Sequence, residues 1–80
     1  MRIDKYLKVS RIIKRRTVAA DACTAGRVSV NGKQVKAGYD VKIGDVVEVG
    51  FGEKKIKIEI LSVAEHVTKD GAAEMYKAVQ

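Results

Sequence analysis

The stretch SRIIKRRTVAADACTAGRVSVNG, residues 10–32, joins a cationic segment, a short helix and a tight hairpin in one continuous run. Residues 10–16 carry four positive charges and no negative one. Residues 17–25 read as a small-residue helix on which Val18, Ala22 and Ala25 share a face. Gly26 is its stop, because a glycine just past the last helical residue takes the left-handed conformation without a Cβ penalty and lets the chain reverse. Residues 27–30 then alternate as a strand does, and Asn31-Gly32 is a strong hairpin signal, since both residues tolerate the positive φ of a type I′ turn. Residues 33–35 form the return strand. The predicted unit is helix, glycine, strand, turn, strand.

Charge is unevenly placed around this unit. The chain of 80 residues has a formal charge of +6. Residues 1–16 hold seven Lys or Arg against Asp4 alone, which accounts for all of it, and the remaining 64 residues sum to zero. The basic character is therefore one block, and such a block predicts a polyanion partner. Arginines dominate positions 11–16, and a guanidinium donates bidentately to phosphate and stacks on exposed bases as an ammonium cannot. A membrane-surface helix would set these charges against a broad apolar face with large side chains, which residues 2–16 do not offer. No membrane partner is expected.

Eighty residues allow one small core. With 46% apolar residues, seven Gly and no Pro or Trp, the composition is that of a globular domain, and no apolar run approaches the length of a bilayer span. The start, MRIDKYLKVS, alternates charged and apolar residues and lacks the apolar centre of a secretory signal. The lone Cys23 makes no internal disulfide, which fits a reducing, cytoplasmic setting.

Residues 2–9 are expected to form about two helical turns with Ile3 and Leu7 inward, Lys5 and Lys8 outward and Tyr6 between the faces. Asp4 suits the positive end of that helix or pairs with a nearby arginine. Ile12 and Ile13 interrupt the cationic run and anchor the helix connection in the core. Beyond the hairpin, residues 36–45 read as a loop with a Gly44-Asp45 turn, residues 46–49 as a strand, and residues 55–60 as the clearest half-buried strand, with Ile56, Ile58 and Ile60 on one face. Leu61, Val63 and Val67 extend the apolar face. Residues 70–80 have helical composition, with Ala72, Met75, Tyr76 and Val79 at i, i+3, i+4, i+7 spacing, which predicts a short terminal helix.

Catalysis requires a reactive group and a partner that activates it, and the chain offers little of either. His66 stands without a second His, a Cys pair or an acidic cluster to complete a metal site, and reads as a loop or surface histidine. Cys23 reads as a small packed thiol. The scattered glycines match neither a P-loop nor a dinucleotide fingerprint. No enzymatic activity, cofactor or metal is expected.

Four groups of residues together resemble the RNA-binding domain named after ribosomal small-subunit protein S-four. They are Arg2-Ile3-Asp4-Lys5-Tyr6-Leu7, the basic Arg15-Arg16, the run from Gly26 through Arg27, Val28, Ser29, Val30 and Asn31 to Gly32, and Lys42-Ile43-Gly44-Asp45 before a valine-rich strand. The resemblance covers roughly residues 1–60, with residues 61–80 as a C-terminal extension packed on the same domain. It implies an α+β fold of two short N-terminal helices packed on a small, mostly antiparallel sheet, with RNA against the helices and hairpin. The short C-terminal helix completes the expected architecture. Ile43 departs from the pattern, since the family often has Pro there.

The expected RNA-binding residues are Arg2, Asp4, Lys5, Lys8, Arg11, Lys14, Arg15 and Arg16, with Lys33 and Lys36 beside the hairpin extending the reach. A stand-alone domain with this start is similar to the ribosome-quality-control branch of the family and to the core of the fifteen-kilodalton heat-shock proteins. That likeness implies a monomer that binds ribosomal RNA and peptidyl-tRNA on obstructed large ribosomal subunits, beside a partner that adds alanine tails to stalled chains. A general rRNA- or tRNA-binding or ribosome-assembly protein is the alternative. A DNA regulator fits less well, because residues 17–25 lack the Asn, Gln and Arg side chains of a major-groove helix.

Overall fold

β-branched residues at every second position build the sheet on which the helices lie. In the computed structural model, which describes residues 1–65 and 67–79, the elements run α1 (Ile3–Val9), α2 (Arg16–Thr24), β1 (Val28–Val30), β2 (Lys33–Gln34), β3 (Val46–Phe51), β4 (Lys54–Ile60), α3 (Lys69–Ala73) and β5 (Tyr76–Ala78). The strands form one antiparallel sheet in the order β2-β1-β3-β4-β5. Its register sets Val28 opposite Val49, Val30 opposite Val47, and Val47 opposite Ile58. These side chains, with Ile60, make a buried face covered by Ile3, Tyr6, Leu7, Ala19 and Cys23 from the two helices. The other face is polar, with Lys55 on Glu48 at 3.6 Å and Lys77 on Glu59 at 4.0 Å. The expected α+β architecture of two N-terminal helices on an antiparallel sheet is the one observed.

The hairpin forms as its residues dictate. Asn31 and Gly32 have φ of 52° and 85°, and Val30 pairs with Lys33 across the turn. Asn31 does more than tolerate this backbone. Its side-chain oxygen accepts from the Val46 N–H at 3.0 Å, and its Nδ2 donates to Asp45 at 3.1 Å, so one residue ties the turn to the start of β3. Asp45 also accepts from the Lys42 N–H at 2.9 Å. That carboxylate braces the turn in which Ile43 stands.

Both N-terminal helices end on a left-handed residue. At α2, Gly26 (φ 76°) donates to Cys23 and Arg27 to Ala22, the paired bonds of a Schellman end. At α1 the left-handed residue is Arg11, φ 63°, where glycine would be the unstrained choice. Ile13 then returns to the core at 5% exposure.

Three readings of the sequence are corrected. Tyr6 is fully buried, and its hydroxyl donates to the Met75 carbonyl at 2.9 Å, so its polar tip is satisfied inside. Burial raises its pKa above the ordinary tyrosine value, with Tyr76 adding to the shift. On α2 the buried pair is Ala19 and Cys23, while Val18 is 48% exposed. At the C-terminus the helix ends at Ala73, and Tyr76 opens a strand. Gly71 weakens helical propensity there, and pairing of Tyr76 with Ile60 and Ala78 with Ile58 covers the edge of β4. Met75 and Ala72 are buried as their spacing implied, and Gln80 lies outside the described residues.

Candidate nucleic-acid interface

A buried carboxylate organises the basic block. Asp4 lies in the first turn of α1 and is 3% exposed. Its Oδ1 accepts the Lys5 N–H at 2.7 Å. Arg2 reaches it twice, from Nε at 3.2 Å and Nη2 at 3.3 Å, and Arg16 approaches Oδ2 through Nε at 3.4 Å. The two arginine side chains remain 55% and 47% exposed. Each guanidinium has five N–H donors, so this arrangement fixes both forks on one carboxylate and leaves donors facing water. Asp4 is itself inaccessible to a ligand. Expected among the RNA-contacting residues, Asp4 stands buried behind the two guanidiniums with which it pairs.

The two helix N-termini differ. The α1 amides of Ile3 and Asp4 donate to the Tyr39 and Ala37 carbonyls at 2.7 and 3.3 Å, which fastens the 36–45 loop beneath Arg2. At α2 the cap residue Arg15 makes no side-chain cap bond, and among the described residues the amides of Arg16, Thr17 and Val18 have no partner. A helix start with open amides favours an anion. Here it carries Arg16 as its first residue.

The remaining cations fall into two groups. Lys8, Arg11 and Lys14 line a cleft with Val9, Glu65, Val67 and Lys69. All three are exposed, and among the described residues neither they nor Arg15 pairs with a carboxylate. The backbone at Arg11 turns the chain toward this cleft. Lys69, far along the chain, was not anticipated there. Lys5 is half-committed, with Glu65 at 3.4 Å. Lys33 and Lys36 stand apart on the hairpin side, where they share a groove with Tyr39, an aromatic residue that the charge pattern did not single out.

Other reactive candidates lie elsewhere. Cys23 is buried, and burial, then the Asp4 charge, pushes its thiol pKa up, away from a nucleophilic thiolate. His66 lies outside the described residues. Among the described residues no group of three His, Cys, Asp or Glu is placed to hold a metal, and no helix is long and apolar enough to cross a membrane.

The family model described as the S4 domain matches residues 1–47. A Halalkalibacterium halodurans protein named RQC P-site tRNA stabilizing factor is 51% identical over 77 residues, spanning 96% of this chain and 88% of that protein. Its namesake in Streptococcus pneumoniae is 48% identical over 79 residues, 99% and 90% of the two chains. The trimeric structure of Vibrio cholerae Heat Shock Protein 15 superimposes with a TM-score of 0.91 at 26% identity, over 99% of this chain and 81% of that one.

Proposed function

The chain belongs to the S4-domain family, and from that premise we propose that it is a non-enzymatic RNA-binding factor of ribosome quality control. It binds ribosomal RNA and peptidyl-tRNA on obstructed large subunits in the cytoplasm and assists C-terminal alanine tailing of the stalled chain. The observation that carries the RNA reading is the Arg2–Asp4–Arg16 cluster at the open N-terminus of α2. A phosphate there meets two oriented guanidiniums and unpaired amides at once, and the desolvated carboxylate behind them keeps the forks from wandering. Lys8, Arg11, Lys14 and Arg15 continue the positive surface. Lys33 and Lys36 extend it past the hairpin, so two polyanions can be held by one small body. The tRNA and quality-control assignment is supported by the names of relatives that span nearly the whole chain.

The test is Arg16→Ala. Losing one charge-assisted contact costs on the order of 1.5–3 kcal/mol, so RNA affinity should fall at least tenfold with the fold intact, and alanine tailing of stalled chains should fall with it. A folded variant that binds RNA as the parent does would overturn the site. Unchanged tailing in cells lacking the protein would leave a general RNA-binding or ribosome-assembly role.

A further inference from the structure

The groove beside the hairpin has walls that the phosphate-binding cluster does not use. It is bounded by Val30, Val35 and Tyr39, with Lys33 and Lys36 at its lip. Val30 is buried and Val35 partly so, whereas Tyr39 is 38% exposed. Among the described residues the Tyr39 hydroxyl has no hydrogen-bond partner, so the side chain is not committed to the fold. Its backbone is: the Tyr39 carbonyl accepts from Ile3, and the neighbouring Ala37 carbonyl accepts from Asp4. The loop that carries Tyr39 is thus fastened to the α1 N-terminus, where Arg2 and Asp4 lie.

We propose that this groove holds one unpaired nucleotide of the bound RNA, its base stacked on Tyr39 and its flanking phosphates met by Lys33 and Lys36. The inference rests on the RNA-binding reading above and adds a subsite to it. Two lysines and no carboxylate line the groove, so charge selects an anionic occupant. An apolar floor with one exposed aromatic ring suits a base whose face is free, and a paired base offers no such face. The Asn31 amide is occupied by Asp45 and Val46, and Gln34 Nε2 donates to the Gly26 carbonyl at 3.0 Å. With the Asn31 amide and the Gln34 Nε2 donor held by the protein, stacking and charge lead the recognition.

The experiment compares an RNA hairpin carrying one unpaired 2-aminopurine with the same stem fully paired. On binding the wild-type protein, stacking on Tyr39 should change the 2-aminopurine emission. Tyr39→Leu keeps the backbone bonds and the apolar volume but removes the ring. It should weaken binding of the unpaired RNA by roughly 5- to 150-fold, the range of base–aromatic stacking losses, and leave the paired stem unaffected, while Tyr39→Phe behaves as wild type. Unaltered wild-type emission at saturation, or a Tyr39→Leu loss that is absent or equal for both RNAs, would overturn the subsite. Arg16→Ala should weaken both RNAs. If it does while Tyr39→Leu weakens neither, the subsite alone falls; if it weakens neither, the phosphate-binding reading falls too.

Discussion

Asp4→Asn sets charge against preorganisation, because the two predict opposite signs. The substitution removes one negative charge from a basic chain, beside the arginines proposed to meet phosphate. If charge alone governed affinity, RNA would bind more tightly: a carboxylate roughly 6 Å from a phosphate repels it by about 0.7 kcal/mol in water and about 2.8 kcal/mol at the effective dielectric of about 20 near a protein surface. Against that, Asp4 holds Arg2 at 3.2 Å and Arg16 at 3.4 Å. Releasing two such side chains adds about 0.5–1.5 kcal/mol each to the ordering cost of binding. With both side chains at the upper ordering cost, about 3 kcal/mol together, affinity weakens by about 0.2–2.3 kcal/mol, up to roughly 50-fold. Stability should change less, because Asn still accepts the Lys5 N–H and both half-exposed guanidiniums rehydrate. A loss of about 1 kcal/mol, or about 4–8 °C in Tm, is expected. Fluorescence anisotropy with labelled RNA across a salt series, beside thermal melts, measures both. A folded Asp4→Asn protein that binds RNA more tightly than the parent would refute preorganisation by the buried carboxylate.

Other substitutions probe the frame around that cluster. Arg11→Gly relieves the left-handed strain and should raise stability by about 1 kcal/mol, yet it should weaken RNA binding and flatten the slope of log K against log salt by about 0.7–0.9; a chemical melt and a salt titration report the two effects separately. Gly26→Val places a β-branched residue at φ 76° with its Cβ 3.1 Å from Gln34 Nε2, and should cost about 2 kcal/mol or more, so an undiminished Tm would remove the left-handed cap. Tyr6 keeps its proton in the fold to a higher pH than in the unfolded chain. Its contribution is therefore complete below the ordinary pKa near 10 and declines as pH rises beyond it, by up to about 1.4 kcal/mol per unit. Tyr6→Phe should lose about 1 kcal/mol at neutral pH and show a shallower alkaline decline, checked by denaturant melts at pH 8 and above pH 10.

Legibility followed the range of the forces. The Gly26 stop, the Asn31-Gly32 turn and the Ile56, Ile58, Ile60 alternation depend on a residue and its immediate neighbours, so each could be read directly. The helix of Asp4 was readable, but its burial was not, because Arg16 reaches it from twelve residues away and only packing of α1 on α2 brings them together. Tyr39 escaped notice for the same reason, since its groove exists only when the 36–45 loop is fastened to the α1 N-terminus. At the C-terminus, helical spacing of Ala72, Met75 and Tyr76 competed with a three-residue strand too short to show alternation. The partner strand β4 decided it, through pairings sixteen to twenty residues apart.

The central claim is that one oriented cationic face binds RNA on large subunits that carry peptidyl-tRNA. Sedimentation of the protein with empty large subunits, intact ribosomes and peptidyl-tRNA-bearing large subunits tests it most directly. Preferential recovery with the tRNA-bearing particles, lost on Arg16→Ala, is the expected result. Equal recovery with all three, or recovery that Arg16→Ala leaves unchanged, would contradict it.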